Sequence, residues 1–90
     1  MNNDYADLAK VDLNLLLVFY VVYQSLSVSV AAEQLGVGQP AVSNSLKRLR
    51  RFFQDPLFLR SGRNIRPTCK AAQIAEKLGI AFGLIKIALP

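Results

Sequence analysis

Gly36-Val37-Gly38 separates two stretches of helical pattern, so the middle of the chain must be two short helices meeting at a turn rather than one long rod. Before the break, residues 30–35 give about two helical turns, and either Ser27 or Ser29 can serve as their N-cap. After it, Gln39-Pro40 opens a second helix, with proline in the first turn where its missing N–H costs nothing. This helix is predicted over 39–53. Val42, Leu46, Leu49 and Phe53 fall at steps of 4, 3 and 4 and form one buried stripe, while Ser43, Asn44, Lys47 and Arg51 occupy the opposite face. Small Ala32 lets the two helices pack closely, Gly36 permits the turn, and Leu35, Val37 and Val42 are expected to share a core. That is a helix-turn-helix arrangement.

The flanks complete the unit. Asp12 can cap a helix over 13–23 that is apolar on nearly every side, as expected of a helix covered by several neighbours. Asp55-Pro56 ends the second helix of the pair. Residues 57–60 and 65–67, separated by Ser61-Gly62-Arg63-Asn64, then read as a short hairpin with a basic tip, a two-stranded wing. Thr68 is placed to cap a last helix from Cys69 to about Ala88, in which Ala71, Ile74, Leu78, Ala81, Ile85 and Ala88 step by 3, 4, 3, 4 and 3 as a heptad seam. The fold expected is mainly α: a winged helix-turn-helix of three helices and a two-stranded wing over residues 1–67, then a long helix over 68–90. No repeat or flexible linker divides it.

Ninety residues hold one small core. The chain has no His and a single Cys69, which removes imidazole base chemistry, a zinc ligand set and an internal disulfide. No nucleophile and base pair up in a predicted cleft, so no catalytic residues, metal or cofactor are expected and the chain reads as a non-enzyme. Its polar, acidic start is unlike a secretory signal, and its longest unbroken apolar run, 15–23, has nine residues against roughly 20 for a bilayer span. A cytoplasmic protein, with no membrane partner, is the expectation.

Charge is concentrated. Residues 47–70 carry eight basic side chains against Asp55 alone, while the other 66 residues carry three basic against five acidic. A localised positive field attracts polyanions. Gln39, Ser43 and Asn44 at the entering end of helix 39–53 offer donors and acceptors for base edges in a major groove, and Pro40 an apolar contact for a thymine methyl. Lys47, Arg48 and Arg51 lie further along and suit phosphates. Arg63, beside Gly62 at the wing tip, can enter a minor groove, and Arg60 or Arg66 can grip backbone. Ser29 and Thr68 are further candidate phosphate contacts. A basic membrane-surface or protein-interaction module is the alternative that composition alone permits.

These segments resemble the LysR-type transcriptional regulators through Ala31-Ala32-Glu33-Gln34-Leu35, Gln39-Pro40-Ala41-Val42-Ser43, Leu46-Lys47-Arg48-Leu49, Pro56-Leu57-Phe58-Leu59-Arg60 and Arg66-Pro67-Thr68. Asp12-Leu13-Asn14-Leu15-Leu16 and Ser43-Asn44-Ser45-Leu46-Lys47-Arg48 look most like the branch of nodulation and salicylate-type regulators. The resemblance implies a DNA-binding module that pairs through a linker helix, here 68–90, on a duplex with dyad-symmetric half-sites. The heptad seam Ala71, Ile74, Leu78, Ala81 and Ile85 would be the pairing face. It also implies an effector-binding domain about twice this size beyond the linker helix. None is present in the 90 residues, so the chain is either a fragment or naturally short, and a small-molecule inducer is expected only where such a domain exists. Leu26 stands where a glycine is frequent, Gly38 where Ser or Thr is usual, Asn44 where many relatives carry Arg, and Cys69 where Glu or Pro is common.

Overall fold

Asp12 has extended backbone and its carboxylate accepts the N–H of Asn14 at 3.0 Å, starting helix α2 at Leu13–Ser25. A one-turn helix, α1 at Ala6–Ala9, precedes it; the sequence carries too short a pattern there to signal one. The computed structural model describes residues 4–90, so the first three residues of the polar start lie outside the described residues. Ser27, rather than Ser29, caps α3 at Val28–Leu35: its hydroxyl accepts the Val30 N–H at 3.2 Å, and the helix begins two residues earlier than expected.

The turn that follows is stereochemically specified. Gly36 takes φ +69, and the Val37 N–H closes back on the Ala32 carbonyl at 3.0 Å while the Gly36 N–H reaches Glu33. This is the six-to-one closure of a left-handed helix end, for which glycine has no Cβ penalty. Helix α4 then runs Gln39–Phe53 with proline in its first turn. Strands β1 (Phe58–Ser61) and β2 (Asn64–Pro67) pair antiparallel around Gly62-Arg63, and α5 spans Cys69–Ala88 from the Thr68 cap.

The core gathers where α2, α3 and α4 meet. Phe19 and Val22, Ala31 and Ala32, and Val42, Leu46 and Leu49 are buried, and Leu57, Ala71 and Ala75 close the cluster from the wing side. Phe19 also packs its ring 5.6 Å from that of Phe58, tying the wing to α2. Two expectations are corrected. Val37 is 46% exposed, because closing the turn carries it past the helix pair into solvent and leaves half-buried Leu35 with Val42 in the shared core. Helix α2 is not covered all round, since Leu13 and Leu17 remain exposed.

A clasp joins α4, the wing and α5. The Asp55 carboxylate accepts the Leu57 N–H at 2.9 Å and the Thr68 hydroxyl at 2.7 Å through the same oxygen, and the Thr68 N–H donates to the Leu57 carbonyl at 2.9 Å. Leu57 is held fully buried at φ +65 by these bonds, a strained conformation for a branched side chain. The hydroxyl of Thr68, then the Leu57 N–H, hold the Asp55 carboxyl below its ordinary value.

Helix α5 is two different structures in one. Its first half packs on α2 and β2, with Ala71 and Ala75 buried and Ile74 and Leu78 packed against the core. Gly79 sits against the Tyr20 hydroxyl, which a Cβ would meet at 2.8 Å, so glycine here permits the two helices to approach. The second half projects, giving the molecule its 50 Å long axis against 32 and 22 Å.

Candidate nucleic-acid interface

The two faces of α4 divide the work. Val42, Leu46 and Leu49 are buried, whereas Gln39, Pro40, Ser43, Asn44, Lys47, Arg48 and Arg51 are all exposed. The spacing places Pro40, Ser43, Asn44, Lys47 and Arg51 along one side, with polar groups near the N-terminus and positive charge toward the C-terminus. Arg48 lies on a flank, lining a shallow cleft with Lys10, Asp12 and Phe52.

The hairpin register separates residues that the sequence could not. Arg60 pairs with Ile65 and Leu59 with Arg66, so Arg60 shares a face with Ile65 while Arg66 lies on the other face. Ile65 and Phe58 on the first face pack toward the core. Arg60 therefore enters a cleft of about 280 Å³ together with Arg63, Gln39, Ser27 and Ser29, and Arg66 is directed elsewhere. This cleft brings together the start of α3, the start of α4 and the wing. Ser27 and Ser29 share a hydrogen bond of 3.1 Å between their hydroxyls, and Ser29 is exposed.

Thr68 is a correction. Its only O–H donates to Asp55, and its oxygen already accepts the Ala71 N–H at 3.1 Å, leaving no donor for a phosphate. The seam is corrected as well. Ala71 is fully buried in its own domain and Ile74 and Leu78 pack there, so of the five seam residues only Ala81 and Ile85 are exposed. Beside Ile85, at 48% exposure, the largest bare apolar side chains of the helix are Ile80, Leu84 and Ile87, at 66%, 63% and 82%, spaced 4 and 3 along the opposite side of α5. An apolar groove of about 620 Å³ also runs between α2 and the second half of α5, lined by Leu13, Leu17, Tyr20, Val21, Phe82 and Ile85.

In sequence Ser27 reads only as a cap and Leu26 and Asn64 carry no role, yet all three line the cleft between α3 and the wing. The Ser-rich polar stretch before α3 is the one local signal, and nothing in it shows that a hairpin far along the chain folds against it. Among the described residues no group of His, Cys, Asp or Glu could hold a metal ion, and no helix is long and apolar enough to cross a membrane.

Comparison with known proteins supplies the context. The sequence model described as "Bacterial regulatory helix-turn-helix protein, lysR family" matches residues 13–72. The HTH-type transcriptional activator NagR of Ralstonia sp is 49% identical over 83 residues, covering 92% of this chain and 28% of the relative. The crystal structure of the probable transcriptional regulator PA0477 from Pseudomonas aeruginosa superposes with a TM-score of 0.86 at 39% identity, covering 91% of this chain and 28% of that one. A CbnR_DBD-DNA complex has the same fold, with a TM-score of 0.76 at 23% identity, covering 87% of this chain and 90% of that one. The chain thus spans about 28% of the length of such curated relatives.

Proposed function

Because the chain belongs to the LysR family of bacterial helix-turn-helix regulators, we propose that it is the double-stranded-DNA-binding part of a dimeric transcription regulator acting in the cytoplasm. The observation that carries the reading is the convergence of Gln39 at the start of α4 with Arg60 and Arg63 of the wing on one cleft, beside the exposed polar side of α4. Gln39, Pro40, Ser43 and Asn44 meet base edges in the major groove. Lys47 and Arg51, with Arg48 on the flank, neutralise phosphates, and so do Ser29 and Arg60; Arg63 at the turn reaches the minor groove. Arg66 takes a phosphate only from a strand passing the far face of the hairpin.

A membrane-surface reading fits this face poorly. Lipid insertion needs an apolar side on the basic helix, and no large apolar side chain is exposed on α4 before Phe52. Residues 68–90 serve as linker and dimerisation element, with pairing through Ile80, Leu84, Ile87 and the α2–α5 groove rather than the Ala71–Leu78 side. In this reading an effector-binding domain and its small-molecule inducer belong to the remainder of such regulators, and the present chain needs neither enzyme chemistry nor cofactor to bind DNA.

Selection from a random duplex library at two salt concentrations tests the reading. The expected product is one sequence with approximate dyad symmetry and half-sites spaced by a helical turn or a multiple of it. Recovery of no preferred sequence would overturn sequence-specific binding.

A further inference from the structure

Leu26 stands out as a large apolar side chain that neither the backbone nor the core requires. It ends α2 at φ 51 and ψ 34, the left-handed region, where every residue with a Cβ is disfavoured. Glycine ends α3 in the same conformation at Gly36 without that cost. Leu26 is 40% exposed and lies outside the buried cluster and the side chains packed on it. Its side chain opens into the cleft between α3 and the wing. Strain retained at a position that contributes little to packing points to use of the side chain.

The chemistry of the cleft indicates the use. Leu26, Val28 and Ile65 give it an apolar wall, and Ser29, Arg60 and Arg63 a polar, positively charged rim. Neutralising a phosphate needs only the rim. A phosphodiester strand, however, alternates anionic phosphates with deoxyribose rings whose edges are apolar, and a surface carrying both characters side by side matches that alternation. We propose that Leu26 is a DNA-backbone contact: a deoxyribose packs against the Leu26 wall while Ser29 and Arg60 hold the adjoining phosphate and Arg63 passes on to the minor groove. This rests on the DNA-binding reading above and assigns Leu26 a part in affinity, not in base choice.

The test measures binding of the 90-residue chain and its Leu26→Ala, Leu26→Gly and Leu26→Met variants to a library-selected duplex and to a scrambled one, over a salt series. Leu26→Ala keeps the strained backbone and removes the wall; Leu26→Gly removes both. Both variants should bind both duplexes roughly three- to tenfold more weakly, with the wild-type salt slope, since an apolar contact releases no counterions. Leu26→Gly should melt at or above the wild-type temperature despite its weaker binding, and Leu26→Met should restore affinity. Wild-type affinity in the Ala and Gly variants would overturn the proposal, as would a loss accompanied by a lower salt slope, which would mean displaced arginines. If the wild-type chain binds neither duplex, the DNA-binding reading fails and this proposal with it.

Discussion

Helices α4 and α5 are the two longest of the described residues, and they differ in what covers their apolar side chains. On α4 one side is buried by α2 and α3, and the other, apart from Pro40 and Ala41, is polar through its first three turns. On α5 the fully buried side ends before Leu78; beyond it Phe82 is half-buried with its ring 5.7 Å from that of Tyr20, and apolar residues lie bare on two sides: Ile85 along the groove with α2, and Ile80, Leu84 and Ile87 opposite. The first pattern is complete within one chain and presents chemistry to a ligand. The second is incomplete, which is what a helix made to be covered by another protein surface looks like.

The contrast breaks most decisively at the buried side of α4. Leu49→Ala removes a fully buried side chain and should destabilise the fold by about 2–5 kcal/mol, read as a shift of the denaturant midpoint. A cost below 1 kcal/mol would mean that α4 is not clamped as described. Replacing Leu84 and Ile87 together by Asp should leave the melting temperature close to wild type, because neither touches the core, while abolishing the dimer in sedimentation. Binding to a duplex with two half-sites should fall roughly a hundredfold as avidity is lost. A dimer persisting in that variant, but lost in Leu13→Asp with Leu17→Asp, would move pairing to the groove alone.

A smaller effect sharpens the joint between the two helices. Asp55 follows α4 and holds Thr68, the cap of α5, and its carboxyl titrates below its ordinary value of 3.8. A depressed carboxyl contributes stability that is fully present above 3.8 and is lost as pH falls through that value towards the lower folded one. Thermal melts between pH 6 and pH 2 should therefore show a steeper acid loss for the wild type than for Asp55→Asn. Equal slopes would mean that the clasp is not held by the ionised carboxylate.

The comparison also shows what a sequence of this kind makes legible. The stripe Val42, Leu46 and Leu49 and the caps Asp12 and Thr68 are local patterns, and each forms as its spacing implies. Ala71, Ile74 and Leu78 are equally regular, and their spacing alone points to a partner. Periodicity identifies an apolar face without saying which protein covers it, and here the chain's own α2 and wing do so. Arg60 and Arg66 look equivalent in sequence. Only the pairing of Arg60 with Ile65 decides which of them joins the cleft, because a shift of one residue would exchange their faces. Ser27 and Ser29 are both good caps, and the choice followed from the left-handed Leu26, which starts α3 two residues earlier.

In the proposed reading the start of α4 reads sequence while the positive charge further along it supplies grip. Dissociation constants of the wild type, Asn44→Ala and Lys47→Ala on the selected and scrambled duplexes, across a salt series, separate the two roles. Asn44→Ala should cost about 1–3 kcal/mol on the selected duplex and little on the scrambled one. Lys47→Ala should weaken both alike and lower the salt slope by about 0.9. Equal losses on both duplexes for Asn44→Ala, or a changed sequence preference with an unchanged slope for Lys47→Ala, would contradict the division of α4 into a reading end and a gripping end.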